Sequence, residues 1–432
     1  MSTSVDIKRI GRKLFLPWVI CLSASFFFAY ELFQMHVMNA LSPMLMRDLR
    51  LNATEFGYLS ATYLFADVIF LLPAGIILDR FSVRKVILMA LALCVFGTLG
   101  FCRAQTFGAA CLCHFSAGVG NSFCFLSCMI LVSRWFPKER QAFVVGLTVT
   151  VGMLGGILAQ LPFSLLAEAL HWRWALFIDG MIGIALFVLI FSVVKDAPND
   201  EIHTQAKPHS LPFWKGVKRC FFHRQNICCG LYTALMNMPL MVIGAVWGTL
   251  FLIQVHHIPT VRASFIVSMI CAGTIVGSPL YGWISDKMKR RRLPMCVGAI
   301  ISLAVMSGII LMPHPSETVL IALFFLLGLF TSSQVISYPT ITESNPKELV
   351  GTSMGTAALI IMGMAAVIQP ISGKILDLNW DGTIQNHVPI YTSEAFMIAF
   401  TLFPVGFVFA LLALTQIKEP RALEHALQSQ PT

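Results

Sequence analysis

The sequence predicts an all-α membrane protein: twelve transmembrane helices in two pseudo-symmetric six-helix halves. Three observations carry that prediction. Of 432 residues, 57% are hydrophobic and 12% charged, where a soluble globular domain carries about 25% charged residues. Mean hydropathy is +0.77. Twelve stretches are long and apolar enough to cross about 30 Å of hydrocarbon, which takes about 20 helical residues. One loop sequence also occurs twice, 207 positions apart.

Taken in order, eight stretches contain no Lys, Arg, Asp or Glu: 104–133, 141–167, 225–261, 263–285, 293–316, 318–342, 349–373 and 395–417. A ninth, 86–102, is slightly short. The remaining three, roughly 14–38, 56–78 and 174–194, each hold one acid: Glu31, Asp67 and Asp179. An even number of spans puts both termini on one side. With that side cytoplasmic, 24 of the 30 Lys and Arg fall inside and 6 outside, so the bias of bases towards cytoplasmic loops sets the orientation. The net charge of +9 is then mostly this inside bias facing an anionic leaflet, and not a nucleic-acid footprint. The N-terminal bases precede an apolar run too long for a signal peptide and without a small-residue cleavage site, so the run is read as span one. The twelve cysteines show no metal spacing, and neither a metal, a cofactor nor a structural disulfide is expected.

Residues 195–224 form the longest polar interval and divide the chain into an N-terminal half (1–194), a cytoplasmic linker and a C-terminal half (225–432). Phe213-Trp214 and the bases after it suggest an interfacial amphipathic segment in that linker. The duplication is visible in the loops. Gly75-Ile-Ile-Leu-Asp79-Arg80-Phe-Ser-Val-Arg84-Lys85 recurs as Gly282-Trp-Ile-Ser-Asp286-Lys287-Met-Lys-Arg-Arg291-Arg292, with Gly, Asp and three bases at matched places. Pro137-Lys138-Glu139 recurs as Pro346-Lys347-Glu348 at an offset of 209, which then pairs Gly146 with Gly355, Met153 with Met362 and Gln160 with Gln369. Spans five and eleven are therefore equivalent, and both are rich in small residues that let helix backbones approach.

The doubled loop resembles the motif of the major facilitator superfamily of transporters, which lies between the second and third helices of each half. The resemblance covers nearly the whole chain. It implies two parallel repeats about a substrate site near the midplane, alternating access, a monomer, and spans one, four, seven and ten lining the cavity. Trp172-Arg173-Trp174 at the start of span six is similar to a cluster often seen there. More loosely, Tyr30-Glu31-Leu32-Phe33 and the stretch from Leu51 through Lys85 look like the phagosomal nutrient transporters and the anion:cation symporter group. Those relatives imply proton-driven uptake of amino acids, nucleosides or similar nutrients. Gln34 and Met35 stand where such proteins often have an arginine.

Asp79 and Asp286 each end a span, where the helix's own dipole disfavours a carboxylate. Each needs an outside partner, and the symmetric candidates are the N-termini of spans eleven and five, near Val350 and Gln141, with Arg134 and Arg140 close by. Such contacts would cross between the halves and gate the cytoplasmic side, with Gly75, Arg80, Arg84, Lys85, Gly282, Lys287, Arg291 and Arg292 completing the gate; the bland alternative is a static topological anchor. Charge inside a bilayer is expensive and seldom idle. Glu31 and Asp67 are therefore candidate proton carriers, and the alternative is a buried, hydrogen-bonded acid. Asp179 reads as a local ion pair with His171 or Arg173. Polar rows at helical spacing occur in all four cavity spans: Glu31 and Gln34 in span one; His114, Asn121 and Ser122 in span four; Thr233 and Asn237, with Tyr232 adjacent, in span seven; Thr331, Gln334 and Tyr338 in span ten. His114 is a candidate proton carrier and equally a core histidine.

No Lys or Arg lies deep in a cavity span, which disfavours a dedicated anion carrier. Ala159-Gln160 stands where many exporters of the family have Gly-Pro, which tilts the reading towards import. The expectation is a secondary transporter of the inner membrane that moves a small polar organic solute, such as an amino acid, together with protons. A proton-antiport exporter of drugs or siderophore-like compounds is the first alternative. A sensor on a transporter scaffold is the second. No phosphate-binding Gly-rich loop is present. Asn52-Ala-Thr54 is a glycosylation acceptor pattern, idle in the bacterial chain that the short loops and tails favour.

Overall fold

The computed structural model describes residues 3–196, 220–312, 315–346, 349–385 and 388–419, less the side chains of residues 3–14, 76, 79, 80, 138, 139, 142, 350 and 351. The linker residues 197–219, with the Phe213-Trp214 segment, lie outside this description, as do Lys347 and Glu348.

Twelve helices are long and apolar enough to span a membrane. In the first half they are span one (Phe15–Leu49), two (Ala53–Gly75), three (Val83–Phe101), four (Phe107–Trp135), five (Phe143–Leu170) and six (Trp172–Val193). In the second they are span seven (Arg224–His256), eight (Thr260–Met288), nine (Arg292–Leu311), ten (Glu317–Ser344), eleven (Thr352–Leu378) and twelve (Ser393–Gln416). Phe15 and Gln416 therefore lie on one face of the bundle, here the terminal face; the other is the distal face. Span one runs eleven residues beyond its expected end. Its charged tip stays helical because Asp48 is tied to span six, accepting from Trp172 Nε1 at 2.8 Å and meeting His171 Nε2 at 3.1 Å.

Short polar caps start the helices. Asn52 caps span two in a reciprocal capping box with Glu55, and Ser82, Thr106, Ser316 and Thr392 accept the first free N–H groups of spans three, four, ten and twelve. A side chain in that role relieves an orphan donor and is worth about 1 kcal/mol. The acceptor pattern at Asn52-Ala-Thr54 thus serves as a helix start.

Four spans are interrupted, span twelve only briefly at Thr401, between helices Ser393–Phe400 and Leu402–Gln416. Span five breaks at Ala159-Gln160 between helices Lys138–Leu158 and Leu161–Leu170. Span seven carries a nine-residue π-helical stretch, Pro239–Trp247, and span ten a 3-10 stretch, Ser332–Ile336. Such departures from α geometry free backbone groups and concentrate at functional sites. Span seven is also the most enclosed, with 83% of its apolar window buried against 33% for span six, so it runs inside while span six faces lipid. Between spans eleven and twelve the chain forms one short antiparallel pair, Ile384–Gln385 with Val388–Pro389, the only strands among the described residues.

Candidate functional site

Three carboxyl groups are buried inside the first half. Glu31 of span one is fully enclosed, and Asp67 and Asp179 are 3% and 4% exposed. The Tyr63 hydroxyl of span two donates to Glu31 Oε2 at 2.8 Å. Glu31 Oε1 finds no geometric hydrogen-bond partner and faces the weakly donating Cys94 thiol. Asn121 of span four lies against the Asp67 carboxyl. Asp179 is not the surface ion pair that its place in the sequence suggests. Gln34 of span one donates to its Oδ2 at 2.5 Å, and the Tyr30 hydroxyl reaches its backbone carbonyl. His171 pairs with Asp48 instead, and Arg173 donates to the Cys102 and Ala104 carbonyls. Helical spacing placed Asp179 by depth alone, whereas its partner reaches across from span one. The result is a carboxyl cluster neighboured by hydroxyl, amide and thiol groups, with no Lys or Arg among them. A buried carboxylate without a cation is costly, which suits a group that takes up and releases a proton.

Two other predicted residues pack as core. The His114 ring lies tilted against Tyr63, centroids 5.2 Å apart, and edge-on to Phe101. It thus stands one ring away from Glu31. Ser122 is 2% exposed and donates back to the Val119 carbonyl, as hydroxyls in helices commonly do.

In the second half, Asn237 just before the π-helical stretch accepts from Gln334 in the 3-10 stretch of span ten at 3.0 Å. These two irregular segments meet there, and Tyr338, 36% exposed, is the most open residue of the row. Tyr232 departs from its expected place on the cavity wall. It is fully buried, and its hydroxyl is shared between the Met295 carbonyl at 2.8 Å and Ser333 at 2.9 Å. The tyrosine needs a partner for its hydroxyl, and spans nine and ten supply it.

The repeated loops have matching anchors. Arg84 N donates to Asp196 Oδ1 at 2.8 Å, the Ser82 hydroxyl donates to Asp196 Oδ2, and Lys85 N donates to Ser82 Oγ. In the second copy Arg291 N and Arg292 N donate to Glu419 at 2.9 and 2.8 Å. An acid just past the last span of each half therefore caps that half's third helix, where the helix dipole favours an anion. The guanidinium of Arg291 bridges Asp286 Oδ1 at 2.7 Å and Glu343 Oε1 at 2.6 Å. Its burial opposes the charge, but Glu343 and Asp286 outweigh that and hold the group above its usual range. Arg84 lies over the Phe191 ring, Lys287 over Trp283, and Arg134 is exposed in the last turn of span four. The Asp79 and Arg80 side chains fall outside the described residues. Asp286 is held within its own half by Arg291, and among the described residues no hydrogen bond or ion pair joins it to the N-terminus of span five.

Contacts between the halves lie from the midplane to the distal face. Asn39 Nδ2 of span one donates to Thr249 Oγ1 of span seven at 2.7 Å, and its side-chain Oδ1 accepts from Thr249 N at 2.9 Å. Asn39 also bonds Gln160, which donates to the Gly244 carbonyl at 2.8 Å. Gln369, the sequence equivalent of Gln160, donates to the Met241 carbonyl. The two glutamines thus hold carbonyls of the same π-helical stretch, one from each half. Span two packs on span eleven so tightly that a Cβ on Gly57 or Gly373 would overlap the backbone of Gln369 or Ala53. At the terminal-face ends of the same two helices, Gly75 and Gly355 have nothing within 4 Å of that position, and Gly146 and Gly282 are equally open. No hydrogen bond or ion pair among the described residues joins the halves there. The distal face is closed in this structure.

A polytopic bundle of two related halves, closed against each other on one face with buried polar networks inside, is the architecture of a secondary transporter. The sequence profile of the Major Facilitator Superfamily matches residues 19–370, and the chain belongs to that superfamily. It is similar to a probable hexose phosphate transport protein of Chlamydia pneumoniae, 23% identical over 414 residues that cover 88% of this chain and 90% of that protein. It is also similar to the membrane sensor protein UhpC of Salmonella typhimurium, 24% identical with coverage of 80% and 82%. A D-galactonate transporter of Escherichia coli is 23% identical with coverage of 82% and 87%. Among solved structures, a bacterial homolog to the human lysosomal transporter Spinster superposes with a TM-score of 0.72 at 15% identity, covering 93% of this chain and 96% of that one. A D-xylose–proton symporter superposes at 0.73 and 12% identity, with coverage of 94% and 99%. Those two share the fold.

Proposed function

We propose that this chain is a proton-coupled importer of a small, hydroxyl-rich organic solute, working by alternating access in a bacterial inner membrane with both termini cytoplasmic. The observation that carries the coupling is the trio of buried carboxyls, Glu31, Asp67 and Asp179, with no buried Lys or Arg near them among the described residues. Glu31 is the coupling residue in this reading, since it is the most enclosed and keeps one oxygen without a strong donor. Asp67 with Asn121 and Asp179 with Gln34 assist it. Relatives named for hexose phosphate, hexuronate and galactonate support a sugar-derived solute over an amino acid. With no Lys or Arg at the midplane of the cavity spans, a solute charge would be offset by protons carried with it. Gln334, Asn237, Tyr338 and Asn121 are the polar groups proposed to meet the solute. The Asp79 and Asp286 loops gate the cytoplasmic side in the opposite state.

The test is uptake into proteoliposomes of purified protein, screened against pooled hexoses, sugar acids, hexose phosphates and amino acids with and without an inward proton gradient. Gradient-driven accumulation of a sugar-derived pool is expected. Accumulation of amino acids alone would overturn the solute class. A second reading, a sensor that binds solute without moving it, is favoured by the similarity to a membrane sensor protein; saturable binding with no accumulation of any pool would establish it.

A further inference from the structure

A dense hydrogen-bonded contact between the halves centres on Asp377, an acid outside the repeated loop motifs. Asp377 sits in the last turn of span eleven, at the distal face. Its Oδ1 accepts from Ala53 N at 3.1 Å and its Oδ2 from Thr54 N at 2.8 Å, and the Thr54 hydroxyl donates to Oδ2 as well. Ala53 and Thr54 are the first residues of span two, in the other half. Tyr391, from the loop after the short strand pair, donates to Asp377 Oδ1 at 2.6 Å and accepts from Ala53 N at 2.9 Å. Gln254 of span seven holds that loop through the Pro389 carbonyl and Tyr391 N.

The physics is that of the acid at the other end of span two. Asp377 ends a helix whose own dipole disfavours its charge, and it finds compensation in the free N–H groups and positive dipole of an opposing helix start. Hydrogen bonds to a carboxylate are the strong ones. Spans two and eleven run antiparallel, as the Gly57–Gln369 and Gly373–Ala53 contacts require. Each therefore ends in an acid on the face where its partner begins, Asp79 on the terminal face and Asp377 on the distal face. The equivalent of Asp377 at the offset of 209 is Glu168, which is exposed and has no hydrogen bond or ion pair among the described residues. The latch is thus made once, not twice.

We propose that Asp377, supported by Tyr391, is the latch that holds the distal gate shut, and that it exchanges with the Asp79 contact as the two halves rock. Resting on the alternating-access reading above, this adds the residue that sets the balance between the two states. Asp377 acts in this proposal as a positioning residue, through the contact between spans two and eleven.

The test uses hydrogen exchange of the full-length protein in nanodiscs, comparing wild type with Asp377→Asn, Tyr391→Phe and Glu168→Gln. The readout is the amides of Gly248–His256, which Asp377 does not touch, together with peptides around Gly75 and Gly355. Asp377→Asn is expected to speed exchange in 248–256 by on the order of tenfold, the range of an ordinary coupling between distant sites, and to slow it around Gly75 and Gly355. Tyr391→Phe should do the same more weakly, and Glu168→Gln should do neither. Faster exchange confined to the first turn of span two would show a local cap and overturn the latch. So would unchanged exchange in Asp377→Asn. Either result would leave transport by wild type, measured separately, to judge the reading of function. If Asp377→Asn fails to fold, Thr54→Val removes one of the four hydrogen bonds to Asp377 without touching the carboxylate, and the same comparison decides.

Discussion

Gly57→Ala is a one-carbon test of the closed distal face. The added Cβ would stand 2.7 Å from the Gln369 carbonyl oxygen and 2.9 Å from Pro370 Cα. Both are backbone atoms of span eleven and have no rotamer by which to yield. The closed packing must therefore spread by several tenths of an ångström, and overpacking of this kind costs about 1–3 kcal/mol. The state open to the distal face does not contain this contact, so the cost falls on one state only. Since 1.4 kcal/mol is about tenfold in an equilibrium, the substitution should shift the balance towards the distal-open state by roughly 5- to 150-fold. Gly363→Ala, whose Cβ meets nothing within 4 Å, is the matched control. Hydrogen exchange across 248–256 together with initial uptake rate reads the effect: exchange rises and uptake falls in Gly57→Ala, and neither moves in Gly363→Ala. Equal behaviour of the two variants would refute the claim that span two and span eleven form the closing surface.

Asn39→Ala removes the bonds to Thr249 and Gln160 and leaves buried polar groups unmatched, a loss of about 1–3 kcal/mol. It should weaken the same closure, read as faster solute release towards the distal side. Arg291→Met leaves Asp286 and Glu343 facing each other without their cation. Because Asp286 is 69% exposed, screening limits the cost to about 0.2–1 kcal/mol, seen as a slightly lower unfolding temperature of the detergent-solubilised protein. Asp179→Asn keeps the Gln34 contact sterically possible while removing a titratable group, so gradient-driven accumulation should drop while solute binding persists. An unchanged accumulation ratio would take Asp179 out of the coupling cluster.

The sequence carried the bundle well because span number and duplication are one-dimensional signals. Apolar runs mark the helices, and loops 207 and 209 positions apart mark the repeat. Burial of Glu31 and Asp67 was legible for the same reason, since an acid in an apolar run has few places to go. What escaped was facing and partnership. Tyr232 lies shortly before a π-helical stretch in span seven, and its hydroxyl is claimed by Met295 and Ser333, which no regular wheel drawn through the span reveals. Asp179 reads as a local ion pair because the apolar run of span six starts at about 174, whereas the helix starts at Trp172, and because its partner Gln34 lies 145 positions away in sequence. Asp377 falls past the apolar run 349–373, where composition alone marks a loop. The argument that singled out Asp79, an acid ending one helix of an antiparallel pair, applies to it equally, and the capping box at Asn52-Ala-Thr-Glu55 marked the helix start that it meets.

Proton coupling through Glu31 is the centre of the account. Gradient-driven accumulation and solute counterflow should be measured side by side in proteoliposomes of wild type and Glu31→Gln. Accumulation depends on coupling, whereas counterflow needs only the alternation of a loaded carrier. The account predicts that Glu31→Gln loses accumulation and keeps counterflow. Accumulation retained at the wild-type ratio in Glu31→Gln would contradict it.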